Sequence, residues 1–114
     1  MSVSISLLAA LGSPHSVSST DGSAVHDLIA TALRREDDVV VSFAGIEDVT
    51  SAFLNAAIGQ LYGEFDEDVI RKHFRVTDAE GDHLLLLKRV VERAKEFFRD
   101  PEQYRAAVSG ALNE

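Results

Sequence analysis

The 114-residue chain contains no cysteine. Disulfides, thiol catalysis and cysteine-ligated metals are therefore excluded, and the absence fits a reducing cytoplasm. Tryptophan is also missing, and the chain has two prolines and one methionine. Cations are scarce: 11 Lys and Arg stand against 19 Asp and Glu, for a formal charge of −8. Nucleic-acid binding requires a basic surface that releases counterions, and anionic lipid also selects for basic residues. Both partner classes are disfavoured, whereas a basic protein surface is favoured. No apolar run approaches the length of a membrane span. The opening MSVSISLLAALGSP has an apolar stretch without a positive n-region, so it is read as structure and not as a signal peptide.

What is present describes one globular domain. Hydrophobic residues make up 46% and charged residues 26% of the chain, near the averages for soluble domains. A chain of this length buries a core without staples. No repeat, low-complexity tract or linker divides it.

Val3 to Leu11 opens with alternation at Val3, Ile5 and Leu7, which predicts an edge strand broken by Gly12 to Pro14. HSVSS would add a short second strand in a hairpin. The stretch from Ser19 to Asp37 predicts a helix capped by Ser19 or Thr20, with Asp21 in its first turn. Its stripe is Val25, Leu28, Ile29, Ala32 and Leu33. The run DVVVSFAGI is the clearest strand, and its near-continuous apolar character is that of a strand covered on both faces.

A second helix follows, with Phe53, Leu54, Ala57, Ile58, Leu61, Tyr62 and Phe65 in a wide stripe. Its Gly59 costs about 1 kcal/mol relative to Ala, which close packing on a sheet would justify. Gly63 reads as a C-terminal stop. After a short acidic helix or turn, a strand is expected at Phe74 to Thr77. A long helix then carries Leu84, Leu87, Val90, Val91, Ala94, Phe97 and Phe98, capped by Asp82. Pro101 would start a final short helix to about Leu112. The alternation of strands and helices predicts an α/β layer structure.

Sites of chemistry are sparse. The loop after DVVVSFAGI has one glycine, Gly45, and no lysine, so it is neither a P-loop nor a dinucleotide fingerprint. His15, His26, His73 and His83 fit no metal-ligand spacing and read as solvated polar positions. No Gly-x-Ser-x-Gly elbow exists. Glu47 and Asp48 flank Thr50-Ser51, but no triad can be assembled around them. The chain is read as a non-enzyme without metal or cofactor.

Thr50 and Ser51 at the start of the second helix allow two roles. Either hydroxyl can cap the helix by accepting a first-turn N–H. Either could instead accept a phosphoryl group, which would face the positive end of the helix. Spacing favours the cap.

The run VVVSFAGIEDVTSAFLNAAIGQLY resembles a bacterial family of STAS-like domains of unknown function. The resemblance rests on Ser42-Phe43, Gly45, Ser51-Ala52-Phe53-Leu54-Asn55 and Gly59-Gln60-Leu61. SVSSTDG and the late LLLLKRVVERAKEFF helix agree more loosely, so the likeness spans roughly residues 3–100. Such domains are related to the STAS domains of anti-sigma-factor antagonists. Those carry a serine at a helix N-terminus that a histidine-kinase-like ATPase phosphorylates to switch binding.

The resemblance implies a single STAS-like domain over residues 1–114, with 101–114 as a helical extension. It implies a small mixed sheet with helices mainly on one face, and a core including Val39, Val41, Phe43, Leu54, Ile58, Leu61, Leu87, Val90, Val91 and Ala94. The implied partner is such an ATPase or an anti-sigma-type regulator, and the implied docking loop holds Gly45, Asp48, Thr50, Ser51 and Asn55. Set on Gly59, the phosphoacceptor falls on Ser51. Of the antagonists' Asp-Ser-Ser-Gly-Leu, Ser51 keeps the first serine and Leu54 the leucine, whereas Thr50 replaces the aspartate and Ala52-Phe53 replaces Ser-Gly. The leading reading is a cytoplasmic, non-enzymatic interaction module. The alternative is a small-ligand or anion-binding accessory domain that uses the same loop.

Overall fold

The computed structural model describes residues 1–99. Three strands, β1 (Ser2–Ser6), β3 (Asp38–Ser42) and β5 (Phe74–Thr77), form one sheet in the order β1-β3-β5. Two short strands, β2 (His15–Ser16) and β4 (Asp48–Val49), pair separately. Every pairing is parallel. The α/β class therefore stands, but the expected mixed sheet and the expected hairpin do not. β2 crosses over to β4 and does not fold back on β1.

The strand order explains the layering. The two successive crossovers move across the sheet in one direction, and with the usual right-handed connection both deposit helices on the same face. Val3 and Ile5, Val39 and Val41, and Phe74 and Val76 share that face by register. The opposite face presents Ser2, Ser4, Ser6, Asp38, Val40, Ser42, Arg75 and Thr77. The triple valine is thus not covered on both sides. Val39 and Val41 are buried, and Val40 is half-buried on the polar face near Lys72 and Arg75.

The first strand ends earlier than its alternation suggested. Ser6 accepts from the Ala9 N–H and starts the helix α1 (Leu7–Leu11), which Gly12 closes at φ 64°. Leu7 is buried as a helical residue. The next helix, α2 (Ser19–Arg34), is capped by Ser18, whose hydroxyl accepts from the Asp21 N–H, and not by Ser19 or Thr20. Val25, Ile29, Ala32 and Leu33 are buried as the stripe required, but Leu28 is half exposed.

Thr50 precedes a helix in three pieces: α3 (Ser51–Leu54), a π-turn (Asn55–Gly59) and α4 (Leu61–Glu64). The wide π-turn buries three consecutive residues, Ala57, Ile58 and Gly59. This segment lies between α2 and the last helix of the described residues, α6 (Gly81–Arg99). Gly59 faces Val90 and Ala94 of α6, so its close approach is to a helix and not to the sheet. Gly63 lies inside α4 and is no stop; a Cβ there would fall 2.4 Å from the Phe98 ring. Gly22 of α2 is held against backbone, because an added Cβ would lie 2.5 Å from the Phe53 carbonyl oxygen and 2.8 Å from Ala56 Cβ.

α5 (Glu67–His73) runs directly into β5, in agreement with the sequence. Asp82 lies within the first turn of α6 and does not cap it. One hydrophobic core unites the sheet, α2, the π-turn and α6. It contains the expected residues except Val91, which is half-buried and packs against it, and Ala94, which is buried outside it. The expected helix from Pro101 lies outside the described residues. Among those described, no helix is long and apolar enough to cross a membrane.

Candidate functional site

The segment between β3 and α3 emerges at the carboxyl end of the central strand, where open α/β sheets place their sites. Phe43 is held by its N–H on the Thr77 carbonyl, and the Ile46 N–H returns to the Phe43 carbonyl. Gly45 takes φ 79°, a left-handed conformation that suits glycine. An added Cβ would also strike the Leu8 side chain at 2.8 Å. The residue is therefore fixed by conformation and by contact.

Glu47 and Asp48 both donate their N–H groups to the Pro14 carbonyl, at 2.8 and 3.3 Å. This begins the β2–β4 ribbon, in which His15 pairs with Asp48 and Ser16 with Val49. The Asp48 carboxylate is engaged by the His15 ring nitrogen Nδ1. On the other side, His83 Nε2 lies 3.2 Å from the Glu47 carbonyl oxygen. Two histidines from distant parts of the chain thus hold adjacent loop residues. His15 is exposed, as expected of a solvated polar position, yet both histidines also have loop partners.

The remaining two histidines also have partners. His73 Nδ1 lies 2.9 Å from Asp38 Oδ1, and this hydrogen bond is the main reason the Asp38 carboxyl is held below its ordinary range. His26, its ring largely buried, sits 3.1 Å from Asp27 Oδ1 and 2.8 Å from Glu64 Oε1. The Glu64 contact has ion-pair distance without hydrogen-bond alignment. The described residues include no group of three or more metal-ligating side chains that could hold an ion.

The structure separates the roles of Thr50 and Ser51. Thr50 is the N-cap, with extended φ and ψ of −115° and 159°. Its hydroxyl accepts from the Phe53 N–H at 3.2 Å and donates to the Val17 carbonyl at 2.6 Å. Ser51 is the first helical residue and is exposed. Its hydroxyl makes no hydrogen bond among the described residues. Ala52 beside it is exposed and small.

Four of the five expected site residues, Gly45, Asp48, Thr50 and Ser51, share this loop. Asn55 lies outside it, four residues beyond Ser51. It starts the π-turn, and its side chain lies near Gly59, lining an open hollow of about 480 Å³ with Gln60, Arg93 and Phe98.

Sequence reasoning missed the opposite wall of the loop, made by Pro14, His15, Ser16 and Val17. Its signal would have been long-range parallel pairing, which two-residue strands do not reveal. Ser16 is fully buried, and its hydroxyl has no partner among the described residues.

A family model described as a STAS-like domain of unknown function (DUF4325) matches residues 21–84, more than half of the chain. The match takes in the loop, α3 and the π-turn, and it leaves out β1, α1 and the β2 side of the ribbon. No curated protein and no solved structure gives a significant match to the chain. The chain belongs to the family of STAS-like domains that this model describes.

Proposed function

We propose that this STAS-like domain is a non-enzymatic, cytoplasmic regulatory module. It binds a partner protein through the loop 45–51 and the exposed side of α3, and Ser51 is the residue at which binding is switched. The observation that carries the reading is the division of labour between two adjacent hydroxyls. Thr50 spends its donor and its acceptor on the fold, while Ser51 stands exposed with its hydroxyl unused.

A phosphate on Ser51 would lie at the positive end of the helix, although the Phe53 N–H there is already taken by Thr50. It would also add about two negative charges beside Glu47 and Asp48. A partner in contact with this surface would register the change strongly. The family relation supports an ATP-binding, kinase-like partner or an anti-sigma-type regulator. The departure at Thr50 bears on the same point. No carboxylate precedes Ser51, and the nearest one in the loop, Asp48, is engaged by His15.

The anion-binding alternative has less in its favour. The Phe53 N–H is already taken by Thr50, and two carboxylates flank the loop. The test compares Ser51→Ala with Ser51→Glu in binding to a candidate kinase-like partner. The expected outcome is unchanged thermal stability in both and loss of binding only in Ser51→Glu. Equal binding by the two variants would overturn the switch.

A further inference from the structure

The loop is surrounded by a surface of unusual composition. Three segments build it: residues 8–21, 44–55 and 77–87. Gly45 touches Leu8, Thr50 bonds Val17, and His83 reaches the Glu47 carbonyl. None of these segments contains a lysine or an arginine. Together they carry Asp21, Glu47, Asp48, Asp78, Glu80 and Asp82. Among the described residues none of these six forms an ion pair with Lys or Arg; Asp48 meets His15, and Asp78 accepts from the Ser42 hydroxyl. All but Asp21 belong to exposed residues.

The same segments hold most of the exposed large apolar side chains. Leu8, Val17, Leu84 and Leu85 are 38%, 42%, 36% and 56% exposed, and outside these segments only Met1 and Leu28 share that status. Leu8 beside Gly45, and Leu84 and Leu85 directly after the His83 that reaches Glu47, together with carboxylates that have no Lys or Arg partner among the described residues, form a docking surface with a defined electrostatic demand.

We propose that this face receives a protein partner whose contact surface is apolar at its centre and lysine- or arginine-rich at its rim. The inference rests on the docking reading above and specifies its partner. The apolar side chains exclude water at the centre, and the carboxylates steer and orient the cationic rim. Phosphorylation of Ser51 would then alter a contact that is already electrostatic.

The test titrates the isotope-labelled full chain with two synthetic amphipathic helical peptides of equal length and identical apolar pattern. One bears lysine and the other glutamate on its polar face. The lysine peptide is expected to shift backbone resonances of residues 8–17, 44–55 and 77–87, and to bind at least about tenfold more tightly than the glutamate peptide. Its affinity should fall roughly tenfold or more toward 1 M salt, where the screening length shrinks to about 3 Å. The triple variant Glu47→Gln, Asp78→Asn, Asp82→Asn should lose a comparable factor, whereas Glu92→Gln further along α6 should not.

Equal affinity for both peptides overturns the basic-partner inference; if the shifts still map to the loop, the docking reading survives that failure. Shifts confined to the later turns of α6 overturn it as well. Self-association that blocks the lysine peptide overturns it in favour of a second copy of the chain. Failure of the Ser51 switch would appear separately, as equal binding of the two Ser51 variants.

Discussion

Thr50 ties the loop to Val17. Its hydroxyl proton points to the Val17 carbonyl at 2.6 Å while its oxygen caps Phe53. An aspartate, as in the antagonists' Asp-Ser-Ser-Gly-Leu, could cap the helix but could not donate. It would set a carboxylate against the Val17 carbonyl. Thr50→Asp is therefore expected to lose about 1–2 kcal/mol through the broken Val17 bond and the carboxylate left against that carbonyl, and Thr50→Ala a similar amount through the lost cap and bond. Thr50→Ser should stay within about 0.5 kcal/mol, since it keeps both bonds. Urea unfolding measures all three. An aspartate variant as stable as the parent would show that the Val17 bond contributes nothing.

Gly22 and Phe53 set the distance between α2 and the α3–π segment. Gly22→Ala would place a methyl carbon 2.5 Å from the Phe53 carbonyl oxygen, and that atom is backbone. The helices must separate, with an expected loss of about 1–3 kcal/mol. Gly12→Ala meets no atom nearby and costs only the left-handed strain at φ 64°. A smaller loss at Gly22 than at Gly12 in thermal melts would contradict the packing account.

Ser16 has a buried hydroxyl without a partner among the described residues. An unsatisfied buried polar group costs about 1–3 kcal/mol, so Ser16→Ala should leave the melting temperature unchanged or raise it. A fall of several degrees would mean that a bound water or another group satisfies Ser16.

Asp38 gives a pH signature. Its pKa is lowered first by the hydrogen bond from His73; desolvation opposes this, and the charges of His73, the N-terminus and Arg75 add further lowering. A carboxyl depressed in the folded state stabilises the fold above its unfolded pKa, near 4. That contribution is lost as pH falls below this value through the depressed one. Because Asp38 is exposed, the effect should be modest and weakened by salt. His73→Ala should raise the Asp38 pKa, read by NMR titration, and flatten the acid limb of stability. An unmoved Asp38 pKa would reject the assignment.

Much of the molecule was legible in its sequence. The stripe of Val25, Ile29, Ala32 and Leu33 follows from the period of the helix, because side-chain direction is a local property of the backbone, and the strand at Val39 to Val41 follows from its continuous apolar run. Element ends were less legible. Ser18, Ser19 and Thr20 are all competent caps, and which one is used depends on where the chain arrives from β2. Leu7 continued the alternation of a strand, yet it is buried in a helix that Ser6 starts. The π-turn at Asn55–Gly59 left no sequence sign, because it exists to fit between α2 and α6.

The sequence by itself determined an acidic, cysteine-free α/β domain with two hydroxyls at a helix start, since composition, period and cap chemistry are local. Only the tertiary structure decided which hydroxyl was committed to the fold. That choice depends on the Val17 carbonyl, brought to Thr50 by a parallel ribbon between residues more than thirty positions apart. Long-range pairing of this kind leaves no local trace. It also gathered His15, His83 and the acidic, leucine-bearing segments around one exposed serine.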